Sequence, residues 1–284
     1  MSKYNEARKH RILILGASGF IGNAIYKELS GYFKVFGTYR TPRKEYEKNH
    51  QFFEYHIEED DVHEILKLTH PTIIISALRG DFSYLTIVHQ HIFEYVKSKS
   101  CKIIFLSSSN VFDAYSKYPS YELDKTFSLS KYGLFKIKIE NLLLKLPPKK
   151  TAIIRLPMVF GVNSPRITEL KRFIAEKKAI EIFPNLIVNI ALENNLTQQI
   201  HYIINRNKSG VFHLGSTDLI HHEDFIKDIV KHLGVESVNY KNVYTTNDER
   251  YLAVLSKENK IPKHLNMTID DILKSLFKTK NDKQ

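Results

Sequence analysis

Short apolar runs alternate with amphipathic segments through the first two-thirds of the chain. The apolar runs are Ile12–Leu15, Val35–Thr38, Thr72–Ala77, Ile103–Ser107 and Ala152–Leu156. Each is short and rich in β-branched residues, which is typical of buried parallel strands. Helical patterns lie between them, at Phe20–Leu29, Val62–Leu68, Tyr84–Lys97 and Tyr132–Leu146. This repetition predicts an α/β fold with a doubly wound parallel sheet.

The rhythm changes after Gly161. The later strand-like runs and helical patterns are Leu186–Ile190, Asn195–Ile204, Val211–Leu214, Glu223–His232 and Ile269–Phe277. Thr268 and Asp271 have the spacing of a capping box at the start of the last helix. We therefore expect residues 1–161 to form the sheet domain, with the segment near 186–214 partly returning to it. Residues 162–284 should form a smaller, mixed C-terminal region.

The charge balance favours anionic partners. The chain has 42 Lys+Arg against 31 Asp+Glu, a formal net charge of +11. Such a charge attracts nucleotides, sugar nucleotides, nucleic acids and acidic membranes without choosing among them. The basic residues are scattered along the chain, so direct nucleic-acid binding is disfavoured.

The composition also limits which binding sites and which cellular compartment we expect. The single cysteine, Cys101, excludes a disulfide framework and a cysteine-rich zinc site. The closest histidine pairs, His89/His91 and His221/His222, lack the i, i+4 spacing of a helical metal site, so we expect no metal. No apolar run approaches the roughly 20 residues of a membrane span. We expect a cytoplasmic protein without a membrane contact.

A glycine-rich turn follows the first predicted strand. It reads Gly16-Ala17-Ser18-Gly19-Phe20-Ile21-Gly22 and leads into a helical pattern. Gly16 permits a tight turn, Gly19 lets the backbone approach a pyrophosphate, and Gly22 lets the helix pack on the strand. The N-terminus of that helix would hold the phosphates. The motif predicts a Rossmann-like dinucleotide-binding domain over residues 1–161; the alternative is a glycine turn without a ligand.

The end of the second strand distinguishes between cofactors. An acidic residue there would bind the ribose 2′-hydroxyl of NAD, but this strand ends in Thr38-Tyr39-Arg40. Arg40 could pair with a 2′-phosphate, which favours NADP(H) over NAD(H). The alternative is a solvated arginine at a strand end.

A tyrosine and a lysine follow the fifth strand, which ends in Ser107-Ser108-Ser109-Asn110. Tyr132 and Lys136 lie one turn apart on the same face of a predicted helix. The same spacing occurs at Tyr95/Lys99 and Tyr121/Lys125. Only the Tyr132 pair begins a long helix beyond the serine-rich strand end. The alternative is an ordinary surface pair on an amphipathic helix.

These residue types suit a proton transfer coupled to hydride transfer. A free phenol has a pKa of about 10, and a nearby ammonium favours the phenolate. Tyr132 would give a proton to a substrate oxygen, and Lys136 would hold the nicotinamide ribose. A serine hydroxyl at the strand end would hydrogen-bond the reacting oxygen.

Four segments together resemble the extended short-chain dehydrogenase/reductases of the NAD-dependent epimerase/dehydratase superfamily: Gly16–Gly22, Ser107–Asp113, Tyr132–Lys136 and Arg155–Gly161. They are most similar to the dTDP-4-dehydrorhamnose reductase group. That group's strand end S-T-D-Y-V-F-D-G reads S-S-S-N-V-F-D-A over residues 107–114, and its Y-G-x-x-K-x-x-x-E is matched from Tyr132 to Glu140.

The resemblance implies an oxidoreductase of carbohydrate biosynthesis that reduces a 4-keto-6-deoxy sugar of a nucleoside diphosphate. The implied catalytic residues are Ser108, Tyr132 and Lys136. Further cofactor contacts are implied at Ala77, Leu78 and Pro157, besides the glycine turn, Tyr132 and Lys136. Substrate contacts are implied at Ser109 and Asn110, which replace the group's Asp and Tyr.

Two alternatives stay open. The altered substrate-side residues also suit a non-catalytic NADP(H)-binding regulatory protein on the same scaffold, and a sugar-nucleotide epimerase is a neighbouring activity. The helices predicted at 84–97 and 132–146 could pair in a homodimer, as in related folds.

Overall fold

The computed structural model describes residues 10–114 and 117–277. The chain divides into two compact units, each made of several segments. Unit 1 comprises residues up to 107, 134–154 and 197–212, and unit 2 comprises residues 108–133, 155–196 and 213 onward.

The elements are numbered along the chain. The strands are β1 (Arg11–Leu15), β2 (Lys34–Tyr39), β3 (Phe52–Glu54), β4 (Ile73–Ser76), β5 (Lys102–Ser108), β6 (Thr151–Leu156), β7 (Met158–Phe160), β8 (Ile180–Ile182), β9 (Leu186–Val188), β10 (Ile190–Leu192), β11 (Gly210–His213), β12 (Ile220–His221), β13 (Tyr240–Asn242) and β14 (Arg250–Leu252). The helices are α1 (Phe20–Ser30), α2 (Lys44–Glu47), α3 (Val62–Thr69), α4 (Phe82–Ser98), α5 (Lys131–Leu143), α6 (Pro165–Ala175), α7 (Glu193–Asn205), α8 (His222–His232) and α9 (Ile269–Phe277).

A seven-stranded parallel sheet runs in the order β11-β6-β5-β4-β1-β2-β3. The chain builds outward from β1 to β2 and β3, and then returns to place β4 on the other side of β1. This reversal creates a switch point between β1 and β4, where ligands bind in open α/β sheets. The prediction of a Rossmann-like, doubly wound sheet is confirmed.

The core of unit 1 is formed by the buried residues of the strands and by one face of the flanking helices. Ile12 to Leu15 are fully buried, as the continuous apolar run predicts. Helix α5 contributes Phe135, Ile139 and Leu143 to the same core. Asp61 and Asp81 start α3 and α4, because each carboxylate accepts a backbone N–H of the first turn.

The described part of unit 2 contains three small sheets. β10 pairs with β7, β13 with β8, and β9 lies between β12 and β14. Helices α6, α8 and α9 close a second core that includes Phe160, Phe225 and Ile272. The predicted capping box is confirmed: the Thr268 N–H and hydroxyl both donate to Asp271 Oδ2, at 2.9 and 2.7 Å.

Two predicted elements differ from the structure. The run Leu186–Ile190 forms two strands that are interrupted at Asn189. The side-chain amide of Asn189 donates to the Val254 carbonyl at 2.8 Å and accepts the Val254 N–H at 3.0 Å. Helix α5 ends at Leu143 rather than at Leu146, and the last three residues form turns before the two prolines. Within the described ranges, no helix has the length and apolar character needed to cross a membrane.

Candidate functional site

The glycine-rich turn lies at the switch point of the sheet. Gly16 has φ +84°, a conformation that favours glycine. A Cβ at Gly16 would lie 2.8 Å from the carbonyl oxygen of Ala77 and 3.2 Å from the nitrogen of Leu78. The Gly16 N–H donates to Thr38 Oγ1 at 2.8 Å, and the Ser18 N–H donates to the Thr38 carbonyl at 3.2 Å. The turn is therefore packed between the ends of β2 and β4.

The start of α1 has the features of an anion site. Gly19 precedes the helix and provides no side-chain cap for the first turn, which begins Phe20-Ile21-Gly22. A Cβ at Gly22 would lie 2.2 Å from the Gly16 carbonyl oxygen, so the helix approaches the turn as only glycine allows. Uncapped N–H groups at a helix N-terminus suit a phosphate. These residues fit the pyrophosphate of a dinucleotide.

Arg40 follows β2, two residues after the threonine that binds the glycine turn. Its guanidinium lies 3.7 Å from Glu58 Oε1. The side chains of Arg40 and of the nearby Arg43 are both mostly exposed. Exposed ion pairs of this length stabilise a protein little. Arg40 can therefore exchange Glu58 for another anion at small cost.

Lys136 is almost fully buried on α5, at the carboxyl end of β5. Its Nζ donates to the Leu106 carbonyl at 2.8 Å and lies 4.5 Å from the centre of the Phe105 ring. Burial lowers the pKa of Lys136 to about 8, with a further lowering by Arg79 and an opposing effect of Glu140. A buried ammonium that titrates near neutral pH is a common feature of functional sites.

A second contact fixes α5 to the same strand. The Ser107 hydroxyl donates to Glu140 Oε1, and both side chains are buried. Glu140 lies one turn after Lys136, so two consecutive turns of α5 are bonded to the end of β5. This arrangement sets the position of Lys136 along the strand.

The predicted serine continues β5 into unit 2. The Ser108 hydroxyl donates to Asn110 Oδ1 at 2.9 Å and accepts the Asn110 N–H at 3.2 Å. Ser109 is buried in the short 3₁₀ helix Ser109–Phe112, whereas Asn110 is half-buried. The hydroxyl of Ser108 would have to exchange its bond to Asn110 for one to a ligand oxygen.

The first turn of α5 packs on this same segment. A Cβ at Gly133 would lie 2.3 Å from the Asn110 carbonyl oxygen and 2.0 Å from Ser128 Oγ. Tyr132 precedes this glycine, and its side chain is 41% exposed. The structure thus brings the Ser108 segment and the Tyr132 turn together within unit 2. Lys136 follows Tyr132 by four residues in the sequence and belongs to unit 1.

Sequence reasoning missed the residues that hold α5 in place. The buried Asp113 accepts the Leu129 N–H at 2.8 Å and the Ser130 hydroxyl. Ser130 in turn accepts the Gly133 N–H at 3.0 Å and so caps α5. The available signal was a serine three residues before Gly133, which is the spacing of a helix cap.

Pro157, the remaining predicted cofactor contact, follows β6. A Cβ at Gly215 would lie 2.8 Å from Pro157 Cγ, so the proline packs against the loop after β11. This places Pro157 in unit 2.

Comparison with known families matches residues 86–275 to the RmlD substrate binding domain. No curated protein sequence gives a significant match. The matched stretch includes β5, α5 and most of unit 2, and it begins after the glycine-rich turn.

Solved structures of similar fold cover nearly the whole chain. A dTDP-4-dehydrorhamnose reductase from Bacillus anthracis, in complex with NADP, is 18% identical with a TM-score of 0.75 over 94% of this chain and 98% of that one. A dTDP-4-dehydrorhamnose reductase from Yersinia enterocolitica is 20% identical, with a TM-score of 0.75 and the same coverage. A UDP-glucuronic acid 4-epimerase from Bacillus cereus, in complex with NAD, is 21% identical with a TM-score of 0.72 over 94% and 97%. At these identities the likeness establishes the fold.

Proposed function

Because the chain belongs to the RmlD substrate binding domain family, we propose that it is an NADP-dependent reductase of a keto group on a nucleoside-diphosphate 6-deoxy sugar. One observation carries the proposal. The ammonium of Lys136 is buried against the Leu106 carbonyl, one helical turn after Tyr132 and at the strand end that leads into Ser108. A purely structural role does not require an ammonium at that depth, because burying it costs free energy.

In this proposal unit 1 holds the dinucleotide. The turn Gly16–Gly22 binds the pyrophosphate, Ala77 and Leu78 line the switch point, and Arg40 pairs with the 2′-phosphate. The close approach of Gly16 to the backbone of Ala77 and Leu78 and the uncapped start of α1 support this assignment. The bound cofactor would supply the hydride. Pro157 would be a further cofactor contact.

The chain's own residues would handle the proton and the orientation of the substrate. Tyr132 gives its phenolic proton to the oxygen of the keto group as the carbon is reduced. Lys136 holds the nicotinamide ribose and provides a positive charge near the phenol. Ser108 donates a hydrogen bond to the reacting oxygen, while Ser109 and Asn110 contact the sugar.

The proposal is tested by Tyr132→Phe, with Tyr84→Phe as a matched control because Tyr84 is equally exposed, at 43%. NADPH consumption with a 4-keto-6-deoxy sugar of dTDP or UDP should fall at least about a hundredfold in the first variant, a typical loss for a removed acid. NADPH binding, followed by fluorescence, should be almost unchanged. Full turnover in Tyr132→Phe would refute the mechanism.

A thermal-shift screen identifies the ligands without assuming a reaction, because a ligand that binds the native state raises Tm. NADPH, NADH and a panel of nucleoside-diphosphate sugars would be compared. A protein that binds NADPH but consumes none with any keto sugar would be a regulatory binder. Interconversion of sugar epimers without net NADPH consumption would instead identify an epimerase.

A further inference from the structure

An aspartate and two histidines converge on the surface of unit 1. Asp61 caps α3, and its Oδ1 accepts the backbone N–H of His63 at 2.9 Å and lies 2.8 Å from His63 Nδ1. His91 projects from α4, and its ring centre lies 4.7 Å from that of His63. One ligand atom from each of the three residues lies within 4.8 Å of the others.

We propose that Asp61, His63 and His91 bind a divalent transition-metal ion, for which Zn²⁺ is the suitable probe. Two imidazoles and a carboxylate are ligands that Zn²⁺ takes in tetrahedral sites, with water in the fourth position. Bonds of about 2.1 Å would place the ligand atoms roughly 3.4 Å apart. Small side-chain rotations achieve this, because Asp61 and His63 are 57% and 36% exposed.

The sequence pairs His91 with His89, but the structure separates their roles. His89 is buried, accepts the Ser76 hydroxyl at Nε2 and donates from Nδ1 to the Leu85 carbonyl. His91 instead faces His63, which lies 28 positions earlier. Only the packing of α4 against α3 creates the three-residue cluster.

The local charge favours a cation. The stretch from Ile57 to Leu66 contains five acidic residues and no lysine or arginine, within a chain of net charge +11. Such a patch raises the local concentration of cations.

Binding would connect α3 to α4 in the folded state only. It should therefore stabilise the protein, raising Tm by roughly 5 °C when free Zn²⁺ exceeds the Kd a hundredfold. Mg²⁺ should not substitute, because it prefers oxygen ligands in octahedral geometry.

The test uses the untagged full chain, with Zn²⁺ titrated by calorimetry and Tm measured in parallel. We expect one strong site per chain. His63→Gln and His91→Gln should each weaken it at least about tenfold, since even outer-shell substitutions cost that much. His221→Gln is the matched control. His221 also lies beside a carboxylate, Glu249 at 3.7 Å, but among the described residues it joins no three-ligand group.

Three results would overturn the proposal: no Zn²⁺ binding at millimolar concentration, binding that survives both substitutions, or equal stabilisation by Mg²⁺. A Tm measured without metal shows whether each variant is folded. Asp61→Asn provides an independent variant, because the amide can still cap α3 but is a poor metal ligand. Loss of Zn²⁺ binding in that variant with an unchanged metal-free Tm is the expected outcome.

Discussion

Burial of the Lys136 ammonium costs free energy of folding, and the proposed reaction gives that ammonium a role. Its ammonium is removed from water and contacts the Leu106 carbonyl and the face of Phe105, and burial lowers its pKa. An apolar side chain would fill the same space without that cost. The proposed contact with the nicotinamide ribose gives a reason for retaining the charge.

Substituting Lys136 by Met should change how stability depends on pH. The pKa of Lys136 is about 8 in the folded protein and about 10.5 in the unfolded chain. Between these values the unfolded chain binds the extra proton, so the free energy of unfolding of the wild type rises as pH increases. Urea unfolding at pH 7.5 and 9.5 should show a smaller rise in Lys136→Met. Lys102, whose pKa is also about 8, provides the same background in both proteins.

Arg40 should determine the preference between cofactors. If Arg40 binds the 2′-phosphate as proposed, Arg40→Ala would remove a charged hydrogen bond worth about 1.5–3 kcal/mol. The affinity for NADPH should fall about tenfold to a hundredfold, while that for NADH stays nearly constant. Arg43→Ala is the control, because Arg43 is similarly exposed and paired, 3.8 Å from Glu45. An equal loss for both cofactors would contradict the assignment.

The first turn of α5 requires a glycine, a residue that normally destabilises a helix. Replacing a helical glycine by alanine usually stabilises a helix by about 1 kcal/mol. At Gly133 the new Cβ would meet the Asn110 carbonyl oxygen at 2.3 Å, and backbone cannot move cheaply. We expect Gly133→Ala to destabilise the protein by about 1–3 kcal/mol and to lower turnover.

Gly31→Ala is the matched control for Gly133→Ala. Gly31 ends α1 with φ −73°, and a Cβ there would meet nothing within 4 Å. Urea unfolding should show no loss of stability in this variant. Comparable destabilisation by both substitutions would show that the close approach to Asn110 is unimportant.

Elements with a local signal could be predicted from the sequence, and those that depend on distant partners could not. The buried strands and the helix Ile269–Phe277 follow from apolar runs and a capping box. The break at Asn189 depends on Val254, 65 residues away. Helix α6 was missed although Ser164 and Pro165 carry a start signal, with Ser164 accepting the Ile167 N–H.

The candidate site likewise contains local patterns that the sequence predicts and long-range contacts that it does not. The glycine turn and the Tyr132/Lys136 spacing are local patterns, so the sequence is sufficient to predict them. The bond from Ser107 to Glu140 spans 33 residues, and that from Ser130 to Asp113 spans 17. The Asp61 cluster joins two helices. Contacts of this kind arise from tertiary packing, which one sequence does not display.

Three buried histidines, spread over both units, should make the protein sensitive to acid. Burial lowers the pKa of His89, His213 and His222 to about 4 each, with smaller lowering by Lys136, Arg155 and Arg166 respectively. Above the unfolded-state pKa of 6.5 these histidines are neutral in both states and cost no stability. As the pH falls from 6.5 towards 4, the unfolded chain binds protons that the folded protein does not, so the free energy of unfolding decreases.

The acid sensitivity can be measured by urea unfolding between pH 7 and 4. Each histidine contributes at most about 3 kcal/mol, from 2.5 pH units at 1.36 kcal/mol each. The free energy of unfolding should begin to fall below about pH 6.5. His89→Gln should make that fall shallower. A stability that is constant from pH 7 to 5 would contradict the assignment of neutral, buried imidazoles.

The interleaving of the two units along the chain limits what can be removed from this protein. Each unit takes its residues from three separate segments, and the stretch matched to the family model begins inside α4. A single proteolytic cut therefore cannot release either unit intact. Deletion of a long segment from either end would remove strands or helices from the core of a unit. We expect the remaining fragments to be insoluble or degraded, without partial enzymatic activity.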